Sequence, residues 1–430
     1  MFPETKPMTV SPGVIKFLFS LLCFYLALPV YDVPFLGLSL SAVLVFFLFF
    51  ETMRRMGGLL LRRGVWLLGL LAALWFGQLV SLAVNEIFGA NQVNMQVGLL
   101  TLLRYAFWFV VLLLGLRLFT TEDLPSQAVR FFAIGIIILG IVLSFEFLFI
   151  GRMNLFGNSL LTGMTQNAIG WQFSAFAPYG LYLALTAPRR WKVLAGGGYI
   201  LLLLAVVLNG SRSSWGTVSL GVFLMGFLWI ITSARKAAAI KYLAGVLLLL
   251  LAAGALYVMA PSQAKERLLA RIERSQNLDM DKSWQMRLLM IQKAETLFFA
   301  NPIFGVGPGQ FRHTEARLDI PKLLSYESED YFNSKSSHNS YIQLLAEGGV
   351  AFMVPFGFFL LYLLVFGWRA AAILGRAGHR WVIPVYVSFI CFSAHFWTLS
   401  GITSTAPWFL YGLLCAAIIK SRSIGTLQGA

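Results

Sequence analysis

The sequence predicts an all-α, polytopic membrane protein with about twelve transmembrane helices and a large, partly helical loop between spans nine and ten. Three observations carry that prediction. Of 430 residues, 58% are apolar and only 12% are charged, about half the charge of an ordinary soluble domain. Apolar stretches of about 20 residues recur along the chain, each long enough to cross a hydrocarbon core of roughly 30 Å. Basic residues gather in alternate connections between them. In lipid only helices or closed barrels satisfy the backbone polar groups, and stretches of this length are helical.

In order, the stretches fall at about 14–31, 34–50, 64–84, 96–117, 129–150, 166–187, 193–209, 213–233, 240–260, 339–367, 381–399 and 403–419. The first lacks a small-residue cleavage site and reads as a retained span. Lys and Arg cluster in "ETMRRMGGLLLRR" (51–63), "PRRWK" (188–192), "SARKAAAIK" (233–241), "GWRAAAILGRAGHR" (367–380) and the tail after Lys420. The opposite short loops carry only Arg152 and Arg212. The positive-inside rule then puts both termini in the cytoplasm. The net charge of +15 anchors the chain against anionic membrane lipids. Its dispersal over many short loops argues against a nucleic-acid partner. Cys23, Cys391 and Cys415 all lie within spans, without metal-ligand spacing. No cofactor and no metal are expected.

The predicted organisation is spans one to nine over 1–260, an outer cap over 261–337, and spans ten to twelve with a short tail over 338–430. The cap holds 11 basic residues and 10 of the chain's 18 acidic ones. A loop this long is functional or disordered, and two amphipathic stretches argue for order. They are "SQAKERLLARIERS" (262–275) and "SWQMRLLMIQKAETLFFA" (283–300). In the second, Ser283 is the expected cap, and Met286, Leu289, Met290 and Leu297 share a face. "NPIFGVGPGQF" (301–311) follows as a turn region. No strand precedes it and no GK[ST] follows, so it does not read as a phosphate loop.

Four outer-side residues are candidates for chemistry. Arg212, in "LNGSRSSWG" (208–216), offers a rigid fork of donors that suits phosphate; Ser211 and its neighbours add hydroxyls. Its bland counterpart is a snorkelling arginine. Arg287 leads the second cap helix and is otherwise a solvated charge. Arg104, in "TLLRYAFWF", lies inside the fourth span, where a charge marks function by default. His338, in "SKSSHNSYIQLLAEGGV", meets the tenth span at the positive end of its dipole. That placement and nearby arginines favour a neutral imidazole, the form a general base needs; the alternative is a capping histidine beside Ser336 and Ser337. Glu347 is a poor direct partner for it. Nine helical residues place it on the opposite face, about 13 Å deeper, where it is expected to bind backbone or polar groups near Gly348 and Gly349.

Together "LNGSRSSWG", "MRLLMIQKAETLFFANPIFGVGPGQF" and "SSHNSYIQLLAEGGVAF" resemble the O-antigen ligase superfamily over about residues 150–360. The resemblance implies a metal-independent, inverting glycosyltransferase of the bacterial inner membrane. Its donor would be a glycan on undecaprenyl pyrophosphate, presented to the periplasm. Its acceptor would be lipid A–core for a ligase, a second lipid-linked glycan for a Wzy-type polymerase, or protein serine or threonine. Carried onto this chain, Arg212 and Arg287 would bind the pyrophosphate and His338 would activate the acceptor hydroxyl. Arg152 and Asn167, in "GRMNLFGNSLLTGMTQNAIGWQ", match a looser donor-contact stretch. Arg152 and Gly163 also have the arginine–ten residues–glycine spacing of some polymerases. Two rivals stand beside this reading. A transporter or flippase would carry its long loop between spans six and seven. A metal-dependent oligosaccharyltransferase would use "DMD" (Asp279, Asp281) to hold a divalent cation.

Overall fold

The computed structural model describes residues 12–28, 40–56, 65–89, 93–121, 124–150, 164–233, 278–402 and 404–428, with isolated positions in 159–162 and 244–273. Among the described residues the chain is all helix, with no strand. The helices are α1 (Pro12–Ala27), α2 (Leu40–Met56), α3 (Val65–Phe88), α4 (Met95–Thr121), α5 (Pro125–Phe145), α6 (Gln166–Thr186), α7 (Arg189–Asn209), α8 (Arg212–Ile231), α9 (Lys282–Ala300), α10 (Glu329–Asn333), α11 (Ser340–Arg376), α12 (Val382–His395) and α13 (Thr405–Gln428). The stretch 240–260 lies mostly outside the described residues, as do 29–31 and 34–39 of the first two; every other predicted apolar stretch overlaps a helix. Six of these helices are long and apolar enough to cross a membrane: α3, α4, α5 with its π-helical end, α7, α8 and α11. The chain is a helical membrane protein.

The spans pack where small residues let backbones approach. Helix α13 lies along α4, and a Cβ on Gly412 would stand 2.2 Å from the Leu112 carbonyl oxygen. Such close crossings maximise dispersion contact where lipid offers no hydrophobic drive. The three cysteines are buried in the bundle, as expected.

Two local features place the site. The first is a break in α11. Its 37 residues would run about 55 Å if straight, well beyond a bilayer core. At Gly349 the chain leaves helical geometry (φ 59°, ψ −163°). The break releases polar groups, and the "NPIFGVGPGQF" turn takes them up. Val306 and Gly307 N–H donate to the carbonyls of Ala346 and Glu347 at 2.9 Å each; Val350 and Ala351 N–H donate to Pro302 and Ile303 at 3.0 Å each. A Cβ on Gly349 would meet the Ile303 oxygen at 2.3 Å, and one on Gly305 the Ala346 oxygen at 2.5 Å. Only glycine fits both the positive φ and the approach.

The second feature is a separate small core under the loop segment. Leu289, Met290 and Leu297 of α9 pack there with Phe311, Leu324 and Phe332, and Met286 lies at its edge. The amphipathic face read from the sequence is the buried one. Its cap differs from expectation: Asp281, not Ser283, is the N-cap, its carboxylate accepting from Ser283 N–H at 2.9 Å. A carboxylate there also meets the helix dipole favourably. The stretch 262–275 lies almost wholly outside the described residues.

Candidate functional site

Arg212 is the first residue of α8, directly after the tight turn at Gly210 (φ 69°). Its guanidinium pairs with Asp281, so the SR turn and the start of α9 are joined by an ion pair. Burial pushes the Asp281 carboxyl up, but Arg212 and the N–H groups of Ser283 and Trp284 hold it below its ordinary value. Of the "DMD" pair that the rival metal-dependent reading would use, Asp281 serves instead as helix cap and arginine partner. Among the described residues no group of three or more acids, histidines and cysteines is arranged to hold a metal.

Arg287 lies six residues past Asp281 on α9, about 9 Å along its axis. The first two turns of α9 thus border both arginines. His338 stands just before α11. The cap of that helix is Asn339, whose side chain accepts from Tyr341 and Ile342 N–H. Ser336, Ser337 and His338 therefore do not cap it. His338 itself has φ 53°, the one positive φ outside glycine among the described residues. Histidine is among the residues that visit this region, at some cost. Burial, then the charges of Arg287, Arg312 and Lys335, lower its pKa below the ordinary 6.5. The ring is thus held toward the neutral form, as its position in the sequence predicts, but burial is the larger cause.

His338 opens into a cavity of about 440 Å³ shared with Met286, Arg312, Tyr331, Ser334, Lys335 and Ser336. Two anchors fix this wall. Glu347 accepts from Gly309 N–H at 3.1 Å, Phe311 N–H at 3.4 Å and Gln343 Nε2 at 3.0 Å. It clamps the backbone just ahead of Arg312. Lys293, fully buried, donates to the Asn333 carbonyl at 2.6 Å and lies 5.0 Å from the Phe311 ring centre. It holds the segment that leads to Lys335 and His338. Burial lowers its pKa to about 8, with Glu315 opposing.

A second histidine closes the ring of contacts. His395, at the end of α12, contacts Ser174 through Nδ1 at 2.8 Å and Ser213 through Nε2 at 3.5 Å. The start of α11 is tied beside it, Ser340 N–H donating to the Phe396 carbonyl at 2.9 Å. Hence α8, α9, α11 and α12 converge on one polar region.

The structure brings Arg212, Ser211, Arg287, His338 and Glu347 around this region. Ser211 is buried and lies 3.2 Å from the Ser213 hydroxyl, without capping α8. Asn167 lies in the first turn of α6; its neighbour Gln166 donates to the Asn209 carbonyl, which places that turn beside the SR loop. Arg104 is exposed on α4 and does not line the cavity. Arg152 and Gly163 lie outside the described residues. Arg312, Lys335, Lys293 and His395 were not singled out in the sequence. Arg312 directly follows the "GVGPGQF" turn, and that was its one legible signal.

Residues 197–357 match the family model described as O-antigen ligase. This supports the O-antigen ligase superfamily, on a segment that spans the SR turn, α9, the glycine turn and His338. No curated protein matches the chain significantly. The match supports a ligase- or polymerase-family role with lipid-linked glycan substrates. With the apolar helices, it marks a multi-pass bacterial membrane protein.

Proposed function

We propose that the chain is an inner-membrane glycosyltransferase that transfers a glycan from undecaprenyl pyrophosphate to an acceptor hydroxyl on the periplasmic face. O-antigen ligation to lipid A–core is the favoured reaction. The observation that carries this reading is the His338 imidazole, held toward neutrality at the mouth of a cavity and flanked by Arg287, with Arg212 on the adjoining wall.

In this reading Arg212 and Arg287 hold the diphosphate and take up the charge that grows as it leaves. The acceptor O–H gives its proton to a free imidazole nitrogen of His338. The oxygen attacks the anomeric carbon as the bond to the phosphate oxygen breaks. Undecaprenyl pyrophosphate departs from the opposite face, so the configuration inverts, and His338 then releases its proton to solvent. The spans receive the polyprenyl tail, both termini are cytoplasmic, and the 261–337 segment covers the sugars. No metal is required.

The test is reconstitution in detergent with undecaprenyl-pyrophosphate-linked glycan and lipid A–core in the presence of EDTA. Mass spectrometry then identifies the lipid that carries new glycan. Product on lipid A–core is the expected result. Longer glycans still on undecaprenyl pyrophosphate would make the chain a Wzy-type polymerase with the same base and arginines. Transfer abolished by EDTA and restored by a divalent cation would overturn the metal-independent mechanism.

A further inference from the structure

The geometry points to an anionic-sugar subsite in the cavity beside His338, formed by Arg312 and Lys335. This deepens the reading above by naming the acceptor's chemical class: a sugar that bears an acid group, phosphate or carboxylate, next to its reacting hydroxyl.

Three observations carry it. First, the cavity holds two cations and no acid among its lining residues, together with the hydroxyls of Tyr331, Ser334 and Ser336. Its 440 Å³ falls in the roughly 300–1,000 Å³ range of small-molecule pockets, room for a sugar unit and its substituent. Second, both cations rise from fixed backbone. Glu347 clamps Gly309 and Phe311 ahead of Arg312. Lys293 and the Asn333–Ala316 pair hold the segment ahead of Lys335. The Lys335 ammonium also lies 3.8 Å over the Tyr331 ring, which sets its direction without neutralising it. Third, the base decides which substrate enters. A general base must touch the acceptor's proton, so the space that His338 opens into belongs to the acceptor. Arg212 and Arg287 do not line that space.

The two cations also depress the His338 pKa together with Arg287. An acceptor that brings its own negative charge would relax that depression as it binds. The base would then gain proton affinity when the hydroxyl arrives.

The test uses the full chain in detergent and four probes: a phosphorylated disaccharide, its neutral parent, inorganic phosphate and inorganic pyrophosphate. Calorimetric titration should show the phosphorylated sugar binding about tenfold tighter than the parent, as a charge-assisted contact predicts. Arg312→Gln with Lys335→Gln should erase that preference and leave pyrophosphate affinity unchanged. Arg312→Lys with Lys335→Arg should keep most of it, which separates lost charge from lost folding. Equal binding of the two sugars by the parent protein overturns the inference. So does inorganic phosphate competing as strongly as the phosphorylated sugar, which would leave a bare anion site. Loss of pyrophosphate affinity in the double Gln variant would assign the cavity to the donor and overturn it too. Because binding is read without transfer, failure of the glycosyltransferase reading in the reconstitution assay remains a separate result.

Discussion

The two walls that meet at His338 are both cationic, but they differ in what already sits on them. On the α8–α9 side, Arg212 is paired with Asp281, and its side chain is only 24% exposed. On the other side, Arg312 is exposed, and Arg312 and Lys335 line a cavity that contains no acid. A diphosphate reaching Arg212 has to compete with a carboxylate that already offers the geometry of a phosphate oxygen pair. An anion entering the cavity meets no carboxylate on its lining, although Arg312 also feels the charge of Glu347. The comparison teaches that positive charge alone does not define a binding site. What matters is whether the fold has already supplied the counter-charge.

The largest expected effect tests the point where the walls meet. His338→Ala should lower the transfer rate by about 10²–10⁴-fold, the usual contribution of a general base, with normal protein levels. Full transfer by that variant would remove His338 from the chemistry and leave the walls without a common centre. Next comes the α8–α9 wall. Arg212→Lys keeps the charge but loses the fork, and donor kcat/KM should fall by about tenfold or more, one charge-assisted hydrogen bond's worth. Activity equal to the parent would show that a forked contact is not needed there.

Glu347→Gln probes the other wall through its backbone clamp. One amide oxygen replaces two carboxylate oxygens that now serve Gly309 and Phe311. Acceptor KM should rise several-fold, about 1 kcal/mol for a weakened hydrogen bond, while donor KM stays put. A change confined to donor KM would reverse the assignment of the walls. Asp281→Asn sharpens the contrast from the opposite direction. Asparagine caps a helix as well as aspartate does, so α9 should stay intact while the competing charge disappears. Pyrophosphate inhibition should tighten by about threefold, within the range of one partly exposed ion pair.

The smallest effect is a pH shift. Burial, and then the neighbouring cations, lower the His338 pKa, so the neutral base persists to a lower pH than for a free imidazole. Arg312→Gln removes one of them and should move the acidic limb of kcat/KM upward, toward about 6.5, by a fraction of a unit. A downward shift would mean that the limb reports another group.

Much of this arrangement was legible in the chain. Composition and apolar run length fix the helical membrane class, because lipid leaves the backbone few alternatives. The buried face of α9 follows from its spacing, and its N-cap was missed by two residues. The sequence offers Asp281 a metal-binding role only in the rival reading of "DMD", and only the fold shows that it pairs with Arg212. The helical spacing argument sets Glu347 apart from His338, but His338 lies outside α11, and the partners of Glu347 are Gln343 and, 38 and 36 positions away, Gly309 and Phe311. Arg104 drew notice because a charge in a span is costly, but it is exposed on α4 and lines no part of the cavity.

What the sequence determined by itself were the properties carried by local pattern: helices, apolar faces, a glycine-rich turn, and three motifs in family order. The tertiary structure decided which charges meet. Arg312 and Lys335 share a cavity because Gly349 breaks α11 and lets the turn dock against it, while buried Lys293 fixes the facing segment. Electrostatic roles depend on distances between groups far apart in the chain, and no local pattern encodes those.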